Sequence, residues 1–189
     1  MSGVFGIYSK KRRDVARLAY YAAFALQHRG QESCGISVND DGIIKTYKDV
    51  GLINDVFTKE VMEKFGHGHM ALSHNLYGKQ IQATRFNAQP MMINHMKGAL
   101  ALALNGAILN IAALRKELEE KGVIFHSIAE AEVLSGQFIQ ERLKSPSMEE
   151  AILKTMYKLK GAYSFVMMTP QKLIAARDPY GVRPLCVGR

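Results

Sequence analysis

The stretch Ala25-Leu26-Gln27-His28-Arg29-Gly30-Gln31-Glu32-Ser33, followed by Gly35-Ile36, joins two kinds of hydrophobic period. Its reading decides what lies on either side. Upstream, Val15, Leu18, Ala19, Ala22 and Leu26 recur at three- and four-residue spacing, the mark of an amphipathic helix. Arg29-Gly30 is expected to close that helix, with Gly30 as a left-handed cap and Arg29 placed favourably against the helix dipole. Downstream, Cys34 to Val38 and Ile43 to Lys48 read as strands, and Asn39-Asp40-Asp41-Gly42 between them is a hairpin turn signal. Before the helix, Gly3 to Tyr8 reads as a short strand that starts almost at the N-terminus.

Further along, Phe57 to Lys64 reads as a short helix and His69 to His74 as a strand. Gly98 to Leu104 is almost wholly apolar, as expected of a strand buried on both faces. Asn110 is placed to cap a helix whose Ile111, Leu114 and Leu118 face inward and which Gly122 ends. Another helix covers about Ala129 to Leu143, and Ser147 with Glu150 forms a capping box for the next, which runs to about Lys158. Ala162 to Met168 and Lys172 to Ala176 pair as a second hairpin, and a further strand is expected at Leu185 to Val187. Met91, Met92, Met96 and Met167-Met168 read as gap-fillers of a core or an apolar surface. Strands at both ends with helices between them predict an α+β or layered α/β fold in one domain spanning residues 1–189.

Composition narrows the class. Apolar residues are 48% and charged residues 22%, as in a soluble globular domain. No run of about 18 apolar residues is present to cross a membrane. The apolar opening runs into Lys10-Lys11-Arg12-Arg13, the reverse of a signal peptide's order, so a cytoplasmic location is expected. Cys34 and Cys186 read as buried thiols rather than a disulfide. The net charge of +8 is scattered along helices among acidic partners, which argues against a nucleic-acid face. Lys10 to Arg13, a compact basic run, reads as a solvated turn leading into a helix rather than a nucleic-acid patch, and a small anionic ligand stays open. His67, His69 and His74 lack the accompanying Cys or carboxylates of a metal site, so no metal or other cofactor is expected.

The run from Ala25 to Ile36 resembles the signature of the class II glutamine amidotransferases, closest to the glutaminase half of amidophosphoribosyltransferase, an enzyme of purine biosynthesis. Gly3-Val4-Phe5-Gly6-Ile7, Leu104-Asn105-Gly106 and Arg177-Asp178-Pro179-Tyr180-Gly181-Val182-Arg183-Pro184-Leu185 follow in the family's order, so the resemblance covers essentially the whole chain. It implies a four-layer αββα N-terminal-nucleophile hydrolase fold, here lacking the family's last strands and its phosphoribosyltransferase domain. The last run also has a purely local reading, a Pro-x-Gly turn with an Arg-Asp pair. Asn105-Gly106 has none so simple, because a polar pair ending a buried strand is costly unless it serves a site or a turn.

The resemblance also implies a site. A Cys exposed by removal of Met1 is the family's nucleophile and its own α-amine the base; here that position is Ser2. Asn105 and Gly106 correspond to the oxyanion hole. Arg29, Tyr77 and Glu130 fall at substrate-binding positions, Glu130 replacing the Asp that holds the substrate amine. The Arg that grips the substrate carboxylate is replaced by Leu76, with Lys79 as a point charge nearby, and Leu104 stands where a His is usual. Altered nucleophile, carboxylate grip and amine grip together predict a degenerate domain acting as a binding or regulatory subunit, a pseudoenzyme. Its expected partner is a transferase chain, a competent amidotransferase or a second copy of the chain, and its expected ligand a small amide. The alternative is a working amidohydrolase with Ser2 as nucleophile, acting on glutamine or another amide.

Overall fold

A computed structural model of the chain describes every residue except 79–82. The first half runs β1 (Gly3–Arg13), α1 (Val15–Ala25), a 3-10 turn (Gln27–Arg29), β2 (Ser33–Asp40), β3 (Ile43–Val50), α2 (Ile53–Val56), α3 (Lys59–Glu63) and β4 (Gly68–Leu76). The second runs β5 (Met91–His95), β6 (Gly98–Ile108), α4 (Ile111–Glu120), α5 (Glu130–Lys144), α6 (Met148–Lys158), β7 (Gly161–Met168) and β8 (Leu173–Arg177). The strands form two antiparallel sheets, ordered β1-β4-β2-β3 and β5-β6-β7-β8.

Strand alternation sorts the apolar side chains into three layers. On β6, Leu100, Leu102, Leu104 and Ile108 face the second sheet's helices, where they pack with Leu114 and Leu118 of α4, Leu134 and Phe138 of α5, and Ile152 of α6. The intervening Ala101 and Ala103 face the other way and meet Met70 and Leu72 of β4 and Val166 and Met168 of β7 between the sheets. On the far side of the first sheet, Cys34, Ile36 and Val38 of β2 pack under Val15, Ala16, Ala19 and Ala23 of α1 and Ile53 of α2. Helices, sheet, sheet, helices: this is the α+β, four-layer αββα arrangement. Small Ala on the inter-sheet face of β6 and Leu on its helical face let the two sheets close on longer side chains from β4 and β7.

The turns follow local chemistry. Asp40 pairs with Ile43, so Asp41 (φ 49°) and Gly42 (φ 89°) make a two-residue hairpin with both φ values positive. Gly122, at φ 84°, follows the end of α4. Ser147 Oγ accepts from the Glu150 N–H, one half of the expected box, while the Glu150 carboxylate pairs with Lys154.

Several local expectations change. Gly30 is extended (φ −170°) rather than left-handed; Gly is required there because a Cβ would lie 2.6 Å from the Asn75 carbonyl oxygen. Phe57 to Lys64 contains a break, with Phe57 buried between α2 and α3. Asn110 precedes α4 without a side-chain cap bond, since its amide bridges Lys158 and Lys160. Lys10 to Arg13 continues β1 and is anchored by the Arg12–Asp40 pair. Met91 and Met92 do more than fill a gap, since they open β5. Leu185 to Val187 is irregular, and Cys186 is exposed while Cys34 is buried.

Between β4 and β5 the chain crosses the first sheet closely. A Cβ on Gly35 would stand 2.2 Å from the Gln89 carbonyl oxygen and 2.7 Å from Lys48 Cβ. Gly35→Ala should therefore cost about 1–3 kcal/mol in urea unfolding. Gly188→Ala, where a Cβ meets nothing within 4 Å, should leave the midpoint unchanged; equal effects of the two would remove the close-crossing explanation.

Candidate functional site

Ser2 is delivered by register. Gly3 pairs with Asn75, which sets Ser2 beside the end of β4, and Gly3 is needed because a Cβ would lie 2.9 Å from Leu26 Cβ. The Ser2 N–H donates to Asn105 Oδ1 at 3.0 Å, and its carbonyl accepts from Arg29 Nε at 3.1 Å. The Tyr77 N–H reaches Ser2 Oγ at 3.4 Å, a long bond. Gln27 holds the turn carrying Arg29: its amide donates to the Gly30 carbonyl and accepts from the Ile53 N–H. On the neighbouring strand, Asn75 Nδ2 donates to the Ala23 carbonyl near the end of α1.

The other wall is an edge of β6. Tyr163 of β7 exchanges bonds with Asp178 on its far side, so the pair Gly106↔Tyr163 is a non-hydrogen-bonded one. The N–H groups of Leu104, Gly106 and Ile108 therefore point away from β7, and β5 pairs only as far as Met91↔Leu102. Leu104 N–H is taken by Gln89 Oε1 at 2.7 Å and Ile108 N–H by Glu130 Oε2 at 2.8 Å. Gly106 lies between them and lines a cavity. Its φ is +130°, and a Cβ would fall 2.2 Å from the Ala162 carbonyl oxygen, so the position demands Gly.

That cavity has a volume of about 70 Å³ and is lined by Ser2, Leu76, Tyr77, Asn87, Gln89, Leu104, Gly106, Ala129 and Glu130. Of the residues singled out from sequence, it brings together Ser2, Gly106, Tyr77, Glu130, Leu76 and Leu104. Asn105 is tied in through its bond to Ser2, and Arg29 through the Ser2 carbonyl rather than by facing the cavity. Lys79 falls outside the described residues. Asn87 and Gln89 were missed; the signal was a polar pair flanking a buried Ala immediately before a proline and a strand. Asn87 Oδ1 accepts from the Ile128 N–H at the approach to α5.

Electrostatics follow from burial. Desolvation pushes the Glu130 carboxyl above its usual range, and the Ile108 N–H opposes this. Burial, Arg183 and Arg29 lower the pKa of the terminal amine on Met1. Asp178 is buried, which opposes ionisation, yet backbone N–H groups of Tyr163, Val182, Tyr180 and Arg183 hold it below the usual carboxylate range. With Gly181 at φ +64° and its N–H on the Asp178 carbonyl, the run from Arg177 onward is a carboxylate-centred turn. His67, His69 and His74 are dispersed: His69 Nδ1 lies 3.2 Å from the Ser9 carbonyl, His67 is exposed, and His74 is buried in β4.

His74 ties the sheets. Its Nε2 lies 3.0 Å from the Leu104 carbonyl, which can only accept, so Nε2 carries the proton. Burial pushes its pKa down to about 4, against the opposing bond to Leu104, with the Lys48 charge adding to the decrease. The unfolded chain therefore takes up this proton near pH 6.5 and the folded chain only near pH 4. Stability should rise with pH across that window and be lost as pH falls through it, by about 3 kcal/mol over the full range. His74→Gln should flatten the stability profile between pH 6.5 and 5; an unchanged slope would assign the acid sensitivity elsewhere.

Comparison with known proteins places the fold. A family profile described as a glutamine amidotransferase domain matches residues 78–189. The amidophosphoribosyltransferase of Methanocaldococcus jannaschii is 44% identical over 193 residues, covering 100% of this chain and 40% of that protein. The amidophosphoribosyltransferase of Methanothermobacter thermautotrophicus is 39% identical, covering 99% and 40% respectively. The solved glutamine phosphoribosylpyrophosphate amidotransferase of B. subtilis superposes with a TM-score of 0.86 at 34% identity, over 97% of this chain and 38% of that one. A second structure, described as the allosteric regulatory enzyme of purine biosynthesis, gives 0.88 at 34% identity, with the same coverage of 97% and 38%. The chain thus spans about 40% of the length of these curated relatives.

Proposed function

The chain belongs to the class II glutamine amidotransferase domain family, and from that premise we propose that it is a degenerate member that binds rather than hydrolyses. One observation carries the reading. Leu76, 5% exposed, forms the cavity wall at the position where the resemblance puts the carboxylate-gripping Arg. A buried Leu offers no charge-assisted bond, and losing one of that kind typically costs about 2–5 kcal/mol. The Glu130 carboxylate, at the position of the amine-holding acid, has one of its two oxygens committed to the Ile108 N–H. Both departures weaken the grip on an α-amino acid.

In this reading the domain is a cytoplasmic binding or regulatory subunit. Its partner is a transferase chain, a competent amidotransferase or a second copy, in keeping with relatives in which such a domain is only part of a longer chain. A second reading has its own support: Ser2 N–H meets Asn105 Oδ1, and Gly106 N–H sits on an open strand edge. With Met1 removed, the Ser2 α-amine would act as base and its hydroxyl as nucleophile on an amide, with Asn105 and Gly106 receiving the oxyanion.

Glutamate release from glutamine separates the two. Protein whose intact mass shows Met1 removed should release no more glutamate than a Ser2→Ala control. Turnover above that control, lost in Ser2→Ala, would establish a working serine nucleophile and end the non-hydrolysing reading.

A further inference from the structure

The cavity beside Ser2 is small, and no described side chain that lines it is positively charged. Its volume of about 70 Å³ is well short of the ~300 Å³ at which ligand pockets usually begin. Among the described residues lining it, Glu130 is the only carboxylic acid, and none is Lys, Arg or His. Leu76, Leu104 and Ala129 give it apolar walls, at 5%, 4% and 2% exposure. An entering carboxylate would shed its water against these carbons and meet a fellow acid.

The polar groups present are of another kind. Gly106 lies between strand neighbours whose N–H groups are already taken by Gln89 and Glu130, which leaves its own N–H for a carbonyl. Ser2 Oγ and the Glu130 carboxyl supply acceptors. Neutral donors beside acceptors, on apolar walls and in a short space, are the complement of a small primary amide: its oxygen meets an N–H, its NH₂ meets oxygen atoms, and its short alkyl end meets leucine.

We propose that this cavity binds short uncharged primary amides, of about the size of propionamide, in preference to α-amino acids such as glutamine, with Leu76 and Leu104 setting the choice. The proposal rests on the reading of a domain that does not hydrolyse glutamine, and it names what the same site holds instead.

The test is titration of the ¹⁵N-labelled full chain with propionamide, propionate, propylamine and glutamine, following the backbone signals of Gly106, Ser2 and Leu76. Propionamide should shift them saturably, with each of the other three at least tenfold weaker. Leu76→Arg should lose about tenfold in propionamide affinity and gain in glutamine affinity. Because a guanidinium in a buried wall can unfold the chain, Leu76→Met serves beside it and should keep the preference for propionamide. Glutamine, propionate or propylamine binding as tightly as propionamide would overturn the proposal, as would no shift with any of them. Ammonia release is read in the same samples. Release that depends on Ser2 would end the non-hydrolysing reading while the amide preference stood; no release and no propionamide binding would end the preference alone.

Discussion

The unpaired edge of β6 is the constraint around which the site is organised. β5 accompanies β6 only to Leu102, and beyond that point the row of N–H groups needs partners from elsewhere. Gln89 and Glu130 supply two of them, at Leu104 and Ile108. Each comes from a segment that must be positioned to do so. Gln89 belongs to a stretch whose backbone crosses Gly35 of β2, and Glu130 opens α5. The cavity lies beside these two fillings, and Gly106 lines it, its positive φ and its contact with Ala162 admitting no side chain.

The segment carrying Asn87, Ala88 and Gln89 joins nearly everything that matters to the site. Its Gln89 side chain reaches β6, and its Asn87 side chain reaches the approach to α5. Its Ala88 carbonyl accepts from Lys48 Nζ on β3. Lys48 is a costly donor to place there, because burial lowers its pKa to about 8, with Glu132 opposing the shift and Arg85 adding to it. A half-buried ammonium is tolerated where its hydrogen bonds are made, and here the bond fixes one sheet to the segment that closes the other. His74 adds a second tie, from β4 to the carbonyl of Leu104. The same residue, Leu104, is thus held at its N–H by Gln89 and at its carbonyl by His74.

How much of this was legible in the sequence depended on whether the signal was periodic or relational. The apolar run Gly98 to Leu104, the helical spacing from Val15 and the Asp41-Gly42 turn are local patterns with local causes, and each element formed where its pattern lay. The resemblance located Ser2, Leu76, Asn105, Gly106 and Glu130 in order, and the fold brings them to one place. Gly30 misleads because its position suggests a helix cap, whereas the requirement comes from Asn75 packed against it from a distant strand. Asn110 misleads in the same way, its amide being drawn to the end of α6. Asn87 and Gln89 were overlooked because their partners lie 41 and 15 residues away, and no window of sequence displays a bond of that span.

Backbone and side-chain parts of a site age differently under substitution. The N–H of Gly106 is aimed by strand register, and register is enforced by three apolar layers that a one-residue slip would turn inside out. It persists for as long as the fold does, and the fold persists at 34% identity with a TM-score of 0.86. The charges that would select a zwitterionic ligand have no such protection. Exchanging an Arg for Leu76, or a His for Leu104, replaces polar groups with apolar ones at buried positions, a change that costs the core little and can strengthen it. On the proposed reading, a site that drifts in this direction keeps an N–H aimed at a carbonyl and loses its preference for charge.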